Sequence, residues 1–467
     1  MARIAVIGSG ASALSTIEGA LDADSSIQID LFDPWNELPQ FNEDTFAIDP
    51  TQIAKKSKFG SLAMYEYPSE SITFDKDLHI PLSGTVGGLT SVWGANSLNP
   101  DSKSLAELTE RFTQASVNWV TDFAQITNLA KTSDPENFYI SYRFRNLLDK
   151  YTKRNGVSLV PATLSMNTNV CTRLGGCLSG CRQHAIFSAE TRIYELIRLG
   201  KVRLFRAFVQ RVLTENGSNL GIEAEIDSDK KVVYFGYDKV FVACGAIASC
   251  ALLQRSGLAP KKVSLRDTQV FYSAYYLWEK RNENSKSLEL AQLFVRKSDL
   301  VHVSIYEFSS QFLDRARLII GPFVKLIPKR FWRHIVAGIG FINSTHSGTL
   351  NLEYKNQRTF VTQQLNRRSK REIRKGLSLV RGGLTRIGLF QLPFLMQVPN
   401  VGASYHVGVA NVHGEALFAT SGKIQNYPQF EVFVMDSSSL AELPVGPITT
   451  TVMAAAYGRT KLALSNE

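Results

Sequence analysis

Two groups of residues in this 467-residue chain have types and spacings suited to chemistry: glycines at strand-to-helix turns, and a crowd of cysteines and histidines. Gly8-Ser9-Gly10-Ala11-Ser12-Ala13 follows a short apolar run, Arg3 to Ile7, and opens a helical stretch, Ser12 to Ala23. A second apolar run, Ile27 to Phe32, then ends on Asp33. Glycines in such a turn let backbone N–H groups approach a pyrophosphate at the helix N-terminus, and the closing acid can accept hydrogen bonds from ribose hydroxyls. Strand, turn, helix, strand and terminal acid therefore read as a dinucleotide site built from Gly8, Ser9, Gly10, Ala11, Ser12 and Asp33. Pro34 follows with no Lys or Arg nearby to meet a ribose 2′-phosphate, which disfavours NADP and leaves FAD or NAD.

Residues 84–96 form a second glycine-rich loop, with Gly87, Gly88, Thr90, Ser91, Trp93, Gly94 and Asn96 as candidate contacts. Glycines there let backbone lie against a flat ring system and Trp93 could stack beside it; the bland reading is a turn with one buried Trp. A further strand–glycine–helix unit ends the run Lys231 to Ala243 in Cys244-Gly245-Ala246. Three of the five cysteines, Cys171, Cys177 and Cys181, fall within eleven residues, which argues for a metal or cluster and against a disulfide framework. An iron–sulfur cluster, a zinc site with His184 as fourth ligand, and three unligated thiols are the competing readings. Cys244 and Cys250 sit in apolar surroundings and read as buried thiols. His406, between Tyr405 and Val407, reads from its neighbours alone as more often structural than catalytic.

The elements that must position these residues fill about three domains' worth of chain at ~150 residues each. With 44% hydrophobic and 20% charged residues, the sequence is too apolar and aromatic for disorder. No run of eighteen uninterrupted apolar residues occurs, and Met1-Ala2-Arg3 leads directly into the first apolar run, so the expected location is cytoplasmic, with a peripheral membrane contact as a further expectation. Residues 101–165 read as helical and polar, most clearly from Leu105 to Ala130, and Arg203 to Val212 reads as a strand. The net charge of +10 is concentrated: sixteen Lys and Arg against three acids lie between Asp314 and Arg386. Within this region, residues 312–343 mix cations with Phe323, Phe331 and Trp332, a composition suited to an anionic membrane interface or to a packed helix pair. Nucleic acid is disfavoured, because the segment is too hydrophobic and no nucleic-acid module accompanies it.

Read together, Gly87-Gly88-Leu89-Thr90-Ser91-Val92-Trp93-Gly94, Val242-Ala243-Cys244-Gly245-Ala246, Tyr405-His406-Val407-Gly408, Val434-Met435-Asp436-Ser437-Ser438 and Gly446-Pro447-Ile448-Thr449-Thr450-Thr451 resemble, in order, the motifs of the glucose-methanol-choline (GMC) family of FAD-dependent oxidoreductases. The resemblance implies an α/β fold: a discontinuous Rossmann-like FAD-binding domain at 1–100, 166–264 and 396–467, and a mixed α+β substrate domain from 101–165 and 265–395. It implies FAD contacts at the first glycine turn, Asp33, the Gly87–Gly94 loop, Val209, Gly245, Asp436 and Thr449. It also implies alcohol oxidation, in which a base takes the hydroxyl proton while hydride passes to the flavin, with His406 as that base, its pKa needing only a modest shift. Gly446 departs from the family, whose members carry a second His or Asn there; His413 and Asn411, a substrate-domain group, or water are the candidate substitutes. The cysteine spacing resembles that of bacterial FAD sugar dehydrogenases holding a three-iron [3Fe-4S] cluster. The expected activity is dehydrogenation of a secondary alcohol of a sugar or glycoconjugate, with an acceptor protein or quinone taking the electrons. A non-catalytic flavoprotein or membrane scaffold, and an NAD-dependent dehydrogenase, are the alternatives.

Overall fold

The computed structural model describes residues 2–34, 71–78, 80, 82–91, 93–98, 119–132, 140–151, 156–172, 177, 181, 183–215, 219–226, 230–280, 289–297, 300–308, 321, 327–404 and 406–465. Its first layer is a five-stranded, wholly parallel sheet in the order Val432–Val434, Lys239–Val242, Arg3–Ile7, Gln28–Asp33, Val202–Arg206. The central strands are apolar along most of their length because both faces are buried: Ile4, Val6, Ile29 and Leu31 share one core cluster with helix Ala11–Ala23, and Ala5, Ile7, Phe32, Val240 and Val242 share another with strands Phe208–Glu215 and Asn219–Ile226. Helix Ala11–Ala23 leaves the first strand and packs on the C-terminal helix Thr449–Ser465. Gly19 makes that approach possible, since a Cβ there would stand 2.6 Å from the Tyr457 carbonyl oxygen.

Opposite lies a six-stranded antiparallel sheet in the order Leu389–Gln397, Val270–Leu277, Ile335–Ile342, Val301–Glu307, Ala291–Lys297, Val157–Pro161. Helix Ser369–Arg386 covers one face of it with Ile373, Leu377, Val380 and Leu384, and Gly376 lets the helix come close to Val301. Because side chains alternate along a strand, His302, Ser304 and Tyr306 point to the other face, toward the parallel sheet's side of the molecule. A second six-stranded sheet, ordered Glu415–Ala416, Val407–Val412, Lys262–Asp267, Thr349–Lys355, Arg358–Gln364, Ile72–Phe74, and a three-stranded meander, Phe208–Glu215, Asn219–Ile226, Lys230–Tyr237, complete the strands.

Several expected elements come out differently. Arg203 to Val212 divides at Ala207 between the parallel sheet and the meander, and Lys231 to Ala243 divides at Asp238 in the same way. A run of β-formers can change sheets without changing character, so pattern alone does not reveal the break. Helix Trp119–Leu129 matches the later part of the amphipathic stretch, whereas Val157–Pro161, expected as helical, is an edge strand; residues 101–118 lie outside the described residues. In the 312–343 segment, Ile335–Ile342 is a buried inner strand, neither a helix nor a surface that a membrane could reach.

Candidate active site

The carboxyl ends of the parallel strands open onto one cavity, lined by Gly8, Ser9, Gly10, Ala11 and Ser12, by Asp33, by Gly88, Thr90 and Trp93, and by Val209, Gly245, His406, Asp436 and Thr449. Residues from eight separate stretches of sequence thus meet in one place. Gly8 has φ +100°, and a Cβ on it would stand 2.7 Å from the Ala243 carbonyl oxygen, so the turn requires glycine. Gly10 caps helix Ala11–Ala23 without a side-chain hydrogen bond, leaving the helix's first N–H groups facing the cavity. A Cβ on Gly88 would lie 3.0 Å from the Gly10 Cα, so the two glycine loops meet backbone to backbone, and Gly87 N–H donates to Ser9 Oγ at 3.2 Å. Gly245, at φ +86°, faces open space.

These features fit FAD. Its pyrophosphate would lie at Gly8 to Ser12, its ribose at Asp33 and its adenine at Val209, each already lining the cavity. Trp93 is fixed for its place by Nε1 donating to the Phe187 carbonyl at 2.8 Å. Thr90 Oγ1 donates to the Gly87 carbonyl at 2.6 Å and accepts from Ala189 N–H at 3.0 Å, joining the loop to helix Ala189–Arg198. The Asp436 carboxylate is buried and accepts from Ser249 Oγ and from both N–H and Oγ of Ser438. Burial pushes its pKa up and these bonds pull it back.

Gly87, Ser91, Gly94 and Asn96 do not line the cavity. Ser91 Oγ donates to the Val86 carbonyl at 2.8 Å, and Asn96 reaches the other way, to Tyr306, so both hold the loop rather than face its contents. Cys250 is fully buried, as expected, whereas Cys244 lines the cavity with its thiol pushed up to about 12 by burial.

His406 lies at the cavity with its ring stacked on Phe341, centroids 4.6 Å apart. Its backbone is anchored as well: the carbonyl accepts from Thr268 N–H at 3.1 Å, and the N–H donates to Ser404 Oγ at 3.3 Å. The modest shift expected of it is not what burial produces; its pKa falls to about 3, so the imidazole is a neutral proton acceptor throughout the working range. His413 lies at an exposed hairpin turn with φ +52°, away from the cavity, because strand Val407–Val412, which follows His406, ends before it. Asn411 is turned back on its own strand, donating to the Val409 carbonyl. Gly446 adopts φ +117°, and the space a side chain there would enter is filled by the ring of His302. Sequence reasoning missed His302, since nothing near it in sequence marks a site.

Cys171, Cys177 and Cys181 are free thiols, and Cys177 is pushed up to about 11, chiefly by burial, with the other two thiols adding to the effect. Among the described residues no group of three or more His, Cys, Asp or Glu has a metal-holding arrangement.

Residues 63–268 match the family model described as GMC oxidoreductase. That match spans somewhat less than half of the chain. A search of curated protein sequences finds no match. Among solved structures, pyridoxine 4-oxidase from Mesorbium loti aligns with a TM-score of 0.64 at 13% identity, over 99% of each chain. A formate oxidase variant from Aspergillus oryzae RIB40 aligns with a TM-score of 0.63 at 12% identity, over 100% of this chain and 99% of its own. An FAD-dependent oxidoreductase from Chaetomium thermophilum gives 0.64 at 11%, over 99% of each. At these identities the likeness is one of fold, and it extends from end to end.

Proposed function

We propose that this chain is an FAD-dependent oxidoreductase of the GMC family that dehydrogenates an alcohol at the mouth of the cavity, with FAD in the cavity and His406 as the general base. The observation that carries the reading is a buried, neutral imidazole held between Phe341 and the cofactor cradle. Bound FAD supplies the hydride acceptor. His406 takes the hydroxyl proton, and its fixed stacking and backbone anchors set the direction from which it does so. We assign the cofactor side to 1–100, 166–264 and 396–467 and the substrate side to 101–165 and 265–395. Anaerobic mixing of the purified holoenzyme with primary and secondary alcohols, sugars included, tests the reading. Bleaching of the flavin bands by at least one of them is expected; a flavin that none reduces would refute it.

A secondary alcohol of a sugar or glycoconjugate as substrate, and an acceptor protein or quinone in place of oxygen, rest on the resemblance of the cysteine spacing alone. Metal analysis of anaerobically purified protein decides the matter: about three irons per chain would support the [3Fe-4S] reading, and stoichiometric zinc would support Cys3His with His184. Peripheral binding to an anionic membrane, if it occurs, belongs to helix Ser369–Arg386, whose outward residues Lys370, Arg371, Arg374, Lys375, Arg381 and Arg386 are exposed. No helix among the described residues is long and apolar enough to cross a membrane. Salt-sensitive co-sedimentation with anionic but not neutral vesicles checks this placement.

A further inference from the structure

Gly446 has no side chain where the family resemblance calls for a His or Asn, and the structure fills that place from another part of the chain. A Cβ built on Gly446 would stand 2.9 Å from Cγ and 3.0 Å from Nδ1 of His302. Resting on the alcohol-oxidation reading above, we propose that His302 is a second catalytic histidine, whose Nδ1–H donates to the substrate oxygen as His406 removes that oxygen's proton.

The neighbourhood gives the imidazole a defined direction. Its Nε2 lies 2.9 Å from Ser304 Oγ, Ser304 is hydrogen-bonded to Tyr306, and the Tyr306 hydroxyl accepts from Asn96 Nδ2 at 2.7 Å. With the amide donating at one end, the tyrosine proton goes to Ser304 and the serine proton to Nε2. In the proposed arrangement Nε2 accepts and the neutral ring carries its own proton on Nδ1. Nδ1 is buried and has no hydrogen-bond partner among the described residues, so a ligand oxygen would complete it. Burial holds His302 well below the ordinary imidazole range, with Arg296 and His406 adding to the effect, which keeps the ring an uncharged donor.

Phe341 ties the two imidazoles together, its ring stacked on His406 and 6.2 Å by centroid from that of His302. The chemistry then balances. The O–H proton passes to His406, the C–H hydride passes to FAD, and the charge developing on the oxygen is met by the Nδ1–H of His302. The side chain missing at position 446 is in this reading replaced by an imidazole on strand Val301–Glu307.

The test uses the holoenzyme labelled with ¹⁵N in the histidine rings, seven residues in all, with 2,2,2-trifluoroethanol as a hydroxyl probe that resists oxidation. The His302 and His406 signals are assigned by their loss in His302→Gln and His406→Gln. Both are expected to shift on adding the probe. A shift of His406 alone overturns the role of His302 and leaves the alcohol reading standing, whereas no shift at either removes both. In flavin-reduction kinetics, His302→Phe keeps the ring volume beside Phe294 and Phe341 without a donor, and should slow reduction about 10²-fold, as loss of an oxyanion donor does. His302→Gln, which retains a donor, should recover part of that rate. A wild-type rate in His302→Phe would overturn the proposal.

Discussion

The parallel sheet and the six-stranded antiparallel sheet meet at one site but are built on opposite principles. In the parallel sheet the functional atoms are backbone N–H groups and one acid on loops at strand ends, and each belongs to a short continuous motif such as Gly8 to Ser12. In the antiparallel sheet they are side chains on one face of a strand, His302, Ser304 and Tyr306, spaced by the two-residue repeat and buried by strands distant in sequence. The first kind of site tolerates change in its side chains but not in its glycines. The second depends on the sheet being held in place, which the buried pair of Arg143 and Glu307 helps to do: Arg143 Nε donates to Glu307 at 2.9 Å and Ser141 Oγ donates to the same carboxylate at 2.8 Å.

Four perturbations separate the two regions, beginning with the largest effect. Gly10→Val should leave the fold intact, because the nearest protein atom to a Cβ there is 4.0 Å away, yet fill the space the pyrophosphate needs. The protein should purify without flavin, read from its absorption spectrum, and full occupancy would remove the cofactor placement. Arg143→Met leaves the Glu307 carboxylate, 2% exposed, without its cation; stability should fall by about 3–5 kcal/mol in denaturant titration, through the antiparallel sheet. A loss below about 1 kcal/mol would show that the ion pair does not hold that sheet.

His406→Ala should slow flavin reduction by about a hundredfold or more while the flavin stays bound, equivalent to about 2.7 kcal/mol or more of barrier. An undiminished rate would move the base elsewhere. The smallest effect is an expected constancy. A base with its pKa lowered to about 3 accepts protons at every pH well above that value and is lost only as pH falls toward it. Flavin reduction at limiting substrate should therefore show no histidine break between about pH 5 and 8, and a break near 6.5 would show that His406 is less enclosed than its surroundings indicate.

The helix-facing side of the same antiparallel sheet shows how the two regions differ in what they reveal. Helix Ser369–Arg386 buries residues at helical spacing against it and keeps its cations outside, so the charge excess read from the sequence does reach the surface. Within 312–343, Ile335–Ile342 does not reach it, because that strand is enclosed between two neighbouring strands. Composition marked both as basic and amphipathic; only strand pairing separates them.

The sequence by itself determined the dinucleotide turn, Asp33, the Gly88–Trp93 loop and the parallel strands with their buried apolar runs. In these, function depends on backbone geometry that local residue types dictate: glycine where φ is positive or another backbone comes close, and an acid at a strand end. It did not determine the breaks at Ala207 and Asp238, where one β-forming run serves two sheets, or the outward placing of His413. Nor could it show that Gly446 is matched by His302, 144 positions earlier. That match exists because strand Val301–Glu307 and the segment before helix Thr449–Ser465, sharing no local pattern, set one ring against one glycine. Tertiary packing decides such a meeting, because the free energy that fixes it comes from burial and pairing across the chain rather than from the preferences of neighbouring residues.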